Sequence, residues 1–96
     1  MIKSFSDQGT EDIFRGQNTK AAHKTARQQV WGPIRRRLQA LHAAVALPDL
    51  KGPGMSLEAL RHDKPGYHAI RASDKYRIVF RWEAPHAYDV EVTDYH

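Results

Sequence analysis

Asp94, Tyr95 and His96 are consecutive, so a carboxylate, a phenol and an imidazole stand side by side. An imidazole titrates near neutrality and can take or give a proton. A phenol can hydrogen-bond phosphate or stack on a base, and a carboxylate can hold its neighbours in place. Just upstream, Tyr88-Asp-Val-Glu-Val-Thr alternates as a β-strand does, with Tyr88, Val90 and Val92 facing one way. Continued, that alternation gives Asp94 and His96 the same parity beyond the last apolar residue and turns Tyr95 to the other face. A polar tail with a chance histidine is the plain alternative, since the sequence contains six histidines.

Arginines supply the charge such a group needs. Tyr76, Ile78, Phe80 and Trp82 form the core parity of a preceding strand, which leaves Arg77 and Arg81 on the opposite face, flanking Val79. A polar sheet face would then collect Arg77, Arg81, Arg61 or Arg71, and the Asp94–His96 end of the last strand. This set suits cleavage of RNA with the 2′-hydroxyl as nucleophile. That reaction needs a base, cations to hold the phosphorane charge, and an acid for the leaving 5′-oxygen. Arginine keeps its charge and grips phosphate through a planar fork, but it is a poor proton donor. No His-x-x-x-His spacing, Gly-rich phosphate loop or serine elbow occurs, and without cysteine a thiolate zinc site is excluded. Neither a metal nor a cofactor is expected. His23, His42, His62, His68 and His86 read as surface or supporting residues, with His62 and His68 bracketing a turn near Arg61.

Charge is segregated as well as positive. The net charge is +4, and the segment from Ile13 to Pro48 carries Arg15, Lys20, Lys24, Arg27, Arg35, Arg36 and Arg37 with no acid. After Trp82 come Glu83, Asp89, Glu91 and Asp94 with no Lys or Arg. One face built to meet a polyanion is the favoured reading, with a solvated basic helix as the alternative. Arg35-Arg36-Arg37 spans almost a full helical turn, so its members cannot all face one groove.

The elements that would position these residues follow from pattern. With 96 residues and 41% hydrophobic content, the expectation is one domain over residues 1–96, without a membrane span or a leader, in the cytoplasm. Ile2 to Phe5 suits an edge or second strand. Asp7 to Arg15 predicts a short helix carrying Ile13 and Phe14, stopped by Gly16. Val30, Ile34, Leu38, Leu41 and Val45 recur at helical spacing, with a kink or a fresh start at Pro33. Leu57 to Arg61, Tyr67 to Arg71, Tyr76 to Trp82 and Ala87 to Thr93 read as four strands. Asp63-Lys-Pro-Gly66, Ser73-Asp74 and Glu83-Ala-Pro-His86 separate them as turns. The predicted class is α+β: an N-terminal strand, two to three helices, then a four-stranded antiparallel meander with the helices on one face.

Met1-Ile-Lys-Ser-Phe5, Leu60-Arg-His-Asp-Lys-Pro-Gly-Tyr67, Tyr76-Arg-Ile-Val-Phe-Arg-Trp82 and Asp94-Tyr-His96 together resemble the HigB family of RelE-like toxins, also called plasmid maintenance killer proteins. The resemblance runs end to end. It implies a type II toxin that inhibits translation as a ribosome-dependent endoribonuclease, cutting mRNA in the A site. The implied partners are a helix-turn-helix antitoxin of HigA type, the ribosome and mRNA, with operator DNA reached only through the antitoxin. Carried onto this chain, His96 is the proton-transfer residue, Tyr95 orients substrate, Asp94 positions its neighbours, and Arg77 and Arg61 steady the phosphate. Arg71, Lys75, Arg81, Arg35, Arg36 and Arg37 are expected to bind RNA. Arg61 stands where the family has lysine, and Glu58 where some members have histidine. A same-fold toxin that poisons DNA gyrase, and a non-enzymatic nucleic-acid-binding module, are the rival expectations.

Overall fold

A computed structural model describes residues 1–60 and 64–94. The first helix, α1, spans Gln8–Arg15 as its punctuation predicts. Gly16 takes a left-handed φ of 75° and turns its amide back to the Asp12 and Ile13 carbonyls. A second helix, α2 (Lys20–Thr25), has too few apolar side chains to show a periodic stripe. It starts at Thr19, whose hydroxyl accepts from the Ala22 amide at 3.1 Å and donates to the buried Asp12 carboxylate at 2.6 Å. Gly9 permits the close approach of the two helices, because a Cβ there would overlap the Thr25 hydroxyl and the Ala21 carbonyl.

The long helix, α3, runs Trp31–Ala43 after a 3₁₀ turn at Gln28–Val30. Pro33 therefore falls in the first helical turn, where a missing amide breaks no intrahelical bond; Gly32-Pro33 belongs to a fresh start, not a kink. The Trp31 indole donates to the Ala26 carbonyl at 2.9 Å and ties this start to the end of α2. Ile34, Leu38 and Leu41 are fully buried. Val45, expected to extend their stripe, is 65% exposed. The helix has ended, and Asp49 accepts from the Val45 and Ala46 amides at 2.9 and 3.1 Å to steer the chain into a 3₁₀ turn at Leu47–Leu50.

Four strands follow: β1 (Glu58–Leu60), β2 (Tyr67–Arg71), β3 (Tyr76–Glu83) and β4 (His86–Asp94), paired antiparallel in the order β1-β2-β3-β4. Short turns between consecutive strands dictate this meander. One face carries Ile70, Ile78, Phe80, Val90 and Val92 into a core shared with Ile13, Ala22, Ile34, Leu38 and Leu41, so the helices cover one side of the sheet. The N-terminal segment runs parallel to the outer edge of β4 through bridges from Ile2 to Ala87 and from Phe5 to Val90. Thr10 accepts the next β4 amide, that of Val92, at 3.0 Å, so this edge is paired as far as α1. The Ile2 amide donates to His42 Nδ1 at 3.1 Å, which fastens the segment to α3.

One register detail corrects the sequence expectation. Val79 pairs with Glu91 but Arg81 pairs with Tyr88, so Asp89 and Val90 both face Phe80 in a bulge. Asp89 adopts a φ of 54°, a left-handed conformation that aspartate tolerates better than most residues. The extra residue reverses parity. Ala87, Val90 and Val92 are buried together, while Tyr88 turns to the outer face, where the Arg81 guanidinium lies 4.7 Å from its ring centroid.

Candidate functional site

Three register rows organise the sheet face away from the helices. Arg71 stands across from Arg77 and Arg77 across from Thr93; Glu58, Ala69, Val79 and Glu91 form the next row; Leu60, Tyr67, Arg81 and Tyr88 form the third. The face expected to gather Arg71, Arg77 and Arg81 does so. Within it, Ser56, Glu58, Arg71 and Arg77 line a cleft of ≈ 250 Å³. The Glu58 carboxylate is ion-paired with the Arg77 guanidinium across β2, whose residue in the Glu58 row is alanine. Ser56 at the cleft edge has a φ of 48°, the kind of outlying backbone that binding sites often retain.

Arg81 has a different environment. It ion-pairs with Glu83, donates from Nε to Asp89 Oδ2 at 3.2 Å, and lies over Tyr88. Asp89 also accepts the Tyr67 hydroxyl at 3.1 Å, and its amide donates to Ser4 Oγ at 2.8 Å. The Arg81 hydrogen bond, acting against burial and helped by Tyr67, holds the Asp89 carboxyl below the usual carboxylate value. Arg81 thus secures the bulge to the N-terminal segment, whereas Arg71 and Arg77 face a cleft whose described lining holds one carboxylate, that of Glu58.

Asp94 pairs with Tyr76, and Thr93 is the residue across from Arg77. By alternation Asp94 therefore takes the helix-side parity of Tyr76, the one it was expected to share with Val90 and Val92, and so does not join the arginine face that was expected to collect this end of the strand. Tyr95, His96 and Arg61 lie outside the described residues, as does His62. Leu60, which precedes Arg61, stands in the Arg81 row, two residues along β1 from Glu58. Lys75 is exposed in the turn between β2 and β3. Arg35 donates from Nε to the Phe14 carbonyl at 3.0 Å, at the end of α1. Arg36 and Arg37 line another cleft of ≈ 250 Å³ with Pro33 and Ala72.

The described histidines mostly support structure. His42 holds Ile2 and rests 5.3 Å from the Phe14 ring; His68 stacks on Phe80 at 6.0 Å; His23 meets Asn18 at 2.8 Å and Trp31 at 4.7 Å. Burial, then the charges of Lys3 and the N-terminal amine, lower the titration of His86. Among the described residues, no group of three or more His, Cys, Asp or Glu is arranged to hold a metal ion. No described helix is long and apolar enough to cross a membrane.

Sequence reasoning noted Glu58 only as the place of an absent histidine. Its shared parity with Leu60 was a usable signal for its face, but its pairing with Arg77, 19 positions away, depends on how β2 inserts between their strands.

The sequence model of a family described as RelE-like toxin of type II toxin-antitoxin system HigB matches residues 3–96. No curated protein matches the sequence. Among solved structures, the fold is similar to that of the YoeB dimer from Staphylococcus aureus, at 19% identity and a TM-score of 0.60, over 99% of this chain and 94% of that one. It is similar also to the YoeB-YefM complex from Staphylococcus aureus, at 17% identity and a TM-score of 0.61, over 100% and 98% of the two chains.

Proposed function

Because the chain belongs to the HigB-like family of RelE-like type II toxins, we propose that it is an mRNA interferase, cutting mRNA in the ribosomal A site and so arresting translation. The observation that carries this reading is the cleft in which Glu58 meets Arg77 beside Arg71. It brings a proton acceptor and two permanent cations to one small surface, at the end of the sheet where β4 leads to Tyr95 and His96.

The chemistry balances without a redox or metal step. The 2′-oxygen of the substrate attacks phosphorus as its proton passes to the Glu58 carboxylate. The bond from phosphorus to the 5′-oxygen breaks, and that oxygen takes a proton from the protonated His96 imidazolium, which is left as neutral imidazole. The products are a 2′,3′-cyclic phosphate and a 5′-hydroxyl end. Arg77, with Arg71, stabilises the charge that grows on the non-bridging oxygens. Arg61 steadies the same phosphate, Tyr95 orients the nucleotide, and Asp94 positions its two successors.

Likeness to the YoeB-YefM complex supports a toxin that is held by an antitoxin. The proposed partner is a helix-turn-helix antitoxin through which the pair reaches operator DNA. The ribosome and mRNA are cytoplasmic targets. A cleavage assay on programmed ribosomes, with end analysis of the fragments, tests the reading. Cyclic-phosphate and 5′-hydroxyl ends are expected from the parent and are lost in Arg77→Ala. Intact mRNA together with stalled gyrase would favour the rival toxin activity.

A further inference from the structure

Arg35, Arg36 and Arg37 are neighbours in sequence that the fold divides. Arg35 is engaged at the end of α1. Arg36 and Arg37 instead reach the cleft they line with Pro33 and Ala72. This cleft shares a wall with the one that holds Arg77. Arg71 lines one cleft, and the next residue, Ala72, lines the other. The Arg71 amide donates to the Met55 carbonyl at 2.7 Å, and Arg37 Nη1 approaches Met55 Sδ at 2.8 Å. Ser56, which follows Met55, lines the Arg77 cleft. Four arginines therefore converge from two sides on a single backbone wall, and among the described residues no acid lines the Arg36–Arg37 cleft.

We propose that the Arg36–Arg37 cleft is a second phosphate subsite, holding a backbone phosphate of the same RNA strand next to the one that is cut. The inference rests on the reading of the Arg77 cleft as an RNA-cleaving site. Guanidinium forks match phosphate oxygens, and a strand gripped at Arg77 has to leave the cleft over one of its walls. The wall at Arg71–Ala72 leads directly to two more arginines. A patch serving only ribosomal RNA would need no continuity with the cleavage cleft, which favours the message as occupant.

Methylphosphonate scanning tests the subsite. Programmed ribosomes carry mRNAs in which one linkage near the cut is neutral, and the toxin concentration giving half-maximal cleavage is measured for each. For the parent, neutralising one flanking linkage should raise that concentration about three- to fivefold, the scale of one exposed charge pair. Arg36→Gln, an exposed position, should show the same rise on natural mRNA and no further rise on the neutral linkage. Lys24→Gln, also exposed but on α2, should keep the parent's sensitivity. Equal sensitivity of parent and Arg36→Gln at every linkage would overturn the subsite and assign these arginines to ribosomal RNA. A parent indifferent to all flanking linkages would overturn it equally. A parent that cleaves no mRNA would sink the underlying activity, an outcome distinct from both.

Discussion

Glu58 and Arg77 close on one another from β1 and β3, spanning the intervening strand on the open face of the sheet. In the proposed reaction a phosphate held by Arg77 competes with this carboxylate, so one ion pair would couple the clamp to the base.

Glu58→Gln should separate these roles. Removing a general base costs roughly 10²–10⁴ in rate, while Arg77 loses its internal competitor. The single-turnover rate at saturating ribosome should fall by about that much, with ribosome–mRNA affinity equal to or tighter than the parent's. A weakened affinity with an unchanged rate would make Glu58 a binding residue and remove it from the proton transfer.

Arg77→Ala should lose about 2.7–4 kcal/mol of transition-state stabilisation, or roughly 10²–10³ in rate, by analogy with the loss of one oxyanion donor. Arg81→Ala should behave differently, because Arg81 is committed to Asp89, Glu83 and Tyr88. Its melting temperature should drop while its rate per folded molecule changes little. Cleavage kinetics read beside thermal melts check both. Equal kinetic losses would show that the two arginines act only as general charge.

His96→Ala should abolish growth arrest without lowering the melting temperature, since proton transfer to the leaving oxygen rests on that imidazole in the proposed reaction. Induction in bacteria, together with a melt of the purified variant, decides it. Full arrest by a folded His96→Ala protein would move the acid elsewhere.

Acid should destabilise the protein through three of its described carboxylates, Asp12, Asp49 and Asp89. Hydrogen bonds from Thr19 and Gln8 lower the Asp12 carboxyl, and that from Arg81 leads in lowering Asp89, relative to the ordinary value of 3.8. Groups lowered in the folded state bind fewer protons there than in the unfolded chain. Their stabilisation is present above about pH 4 and is lost as pH falls through the folded values. Asp89→Asn keeps a residue tolerant of the left-handed backbone. It should melt lower at neutral pH, yet lose less on acidification, in melts recorded from pH 7 down to 2. Parallel curves for the two proteins would show that Asp89 does not report acid unfolding.

Gly9→Ala should destabilise by about 1–3 kcal/mol, the range for overpacking. The added methyl meets Thr25 and the Ala21 carbonyl. For a chain of this size each kcal/mol shifts the melting temperature by about 4–8 °C. An unchanged melt would show that α2 can move away from α1.

Much of the architecture was local and therefore legible. Gly16 stops α1 because its own backbone favours the left-handed cap. The turn residues between the strands force antiparallel neighbours, and the alternation of Tyr76, Ile78, Phe80 and Trp82 placed Arg77 and Arg81 on the open face without reference to any partner. Residues 3–96 carry the family pattern in their order alone.

Where the outcome depended on contacts distant in sequence, the chain by itself was silent. Alternation assigned Tyr88 to the core because it has no knowledge of a bulge, and the bulge exists where Ser4, Tyr67 and Arg81 together surround Asp89. Helical spacing treated Arg35, Arg36 and Arg37 as one basic turn. Tertiary packing sent one to α1 and two to the sheet end, since each guanidinium found whatever acceptor or cleft lay opposite its own face of α3. Glu58 became a partner of Arg77 only when β2 brought their strands within reach across a small alanine. Side-chain type and alternation determine which chemistry a strand can offer; the register between strands decides which groups meet, because a shift of one residue turns every side chain to the other face.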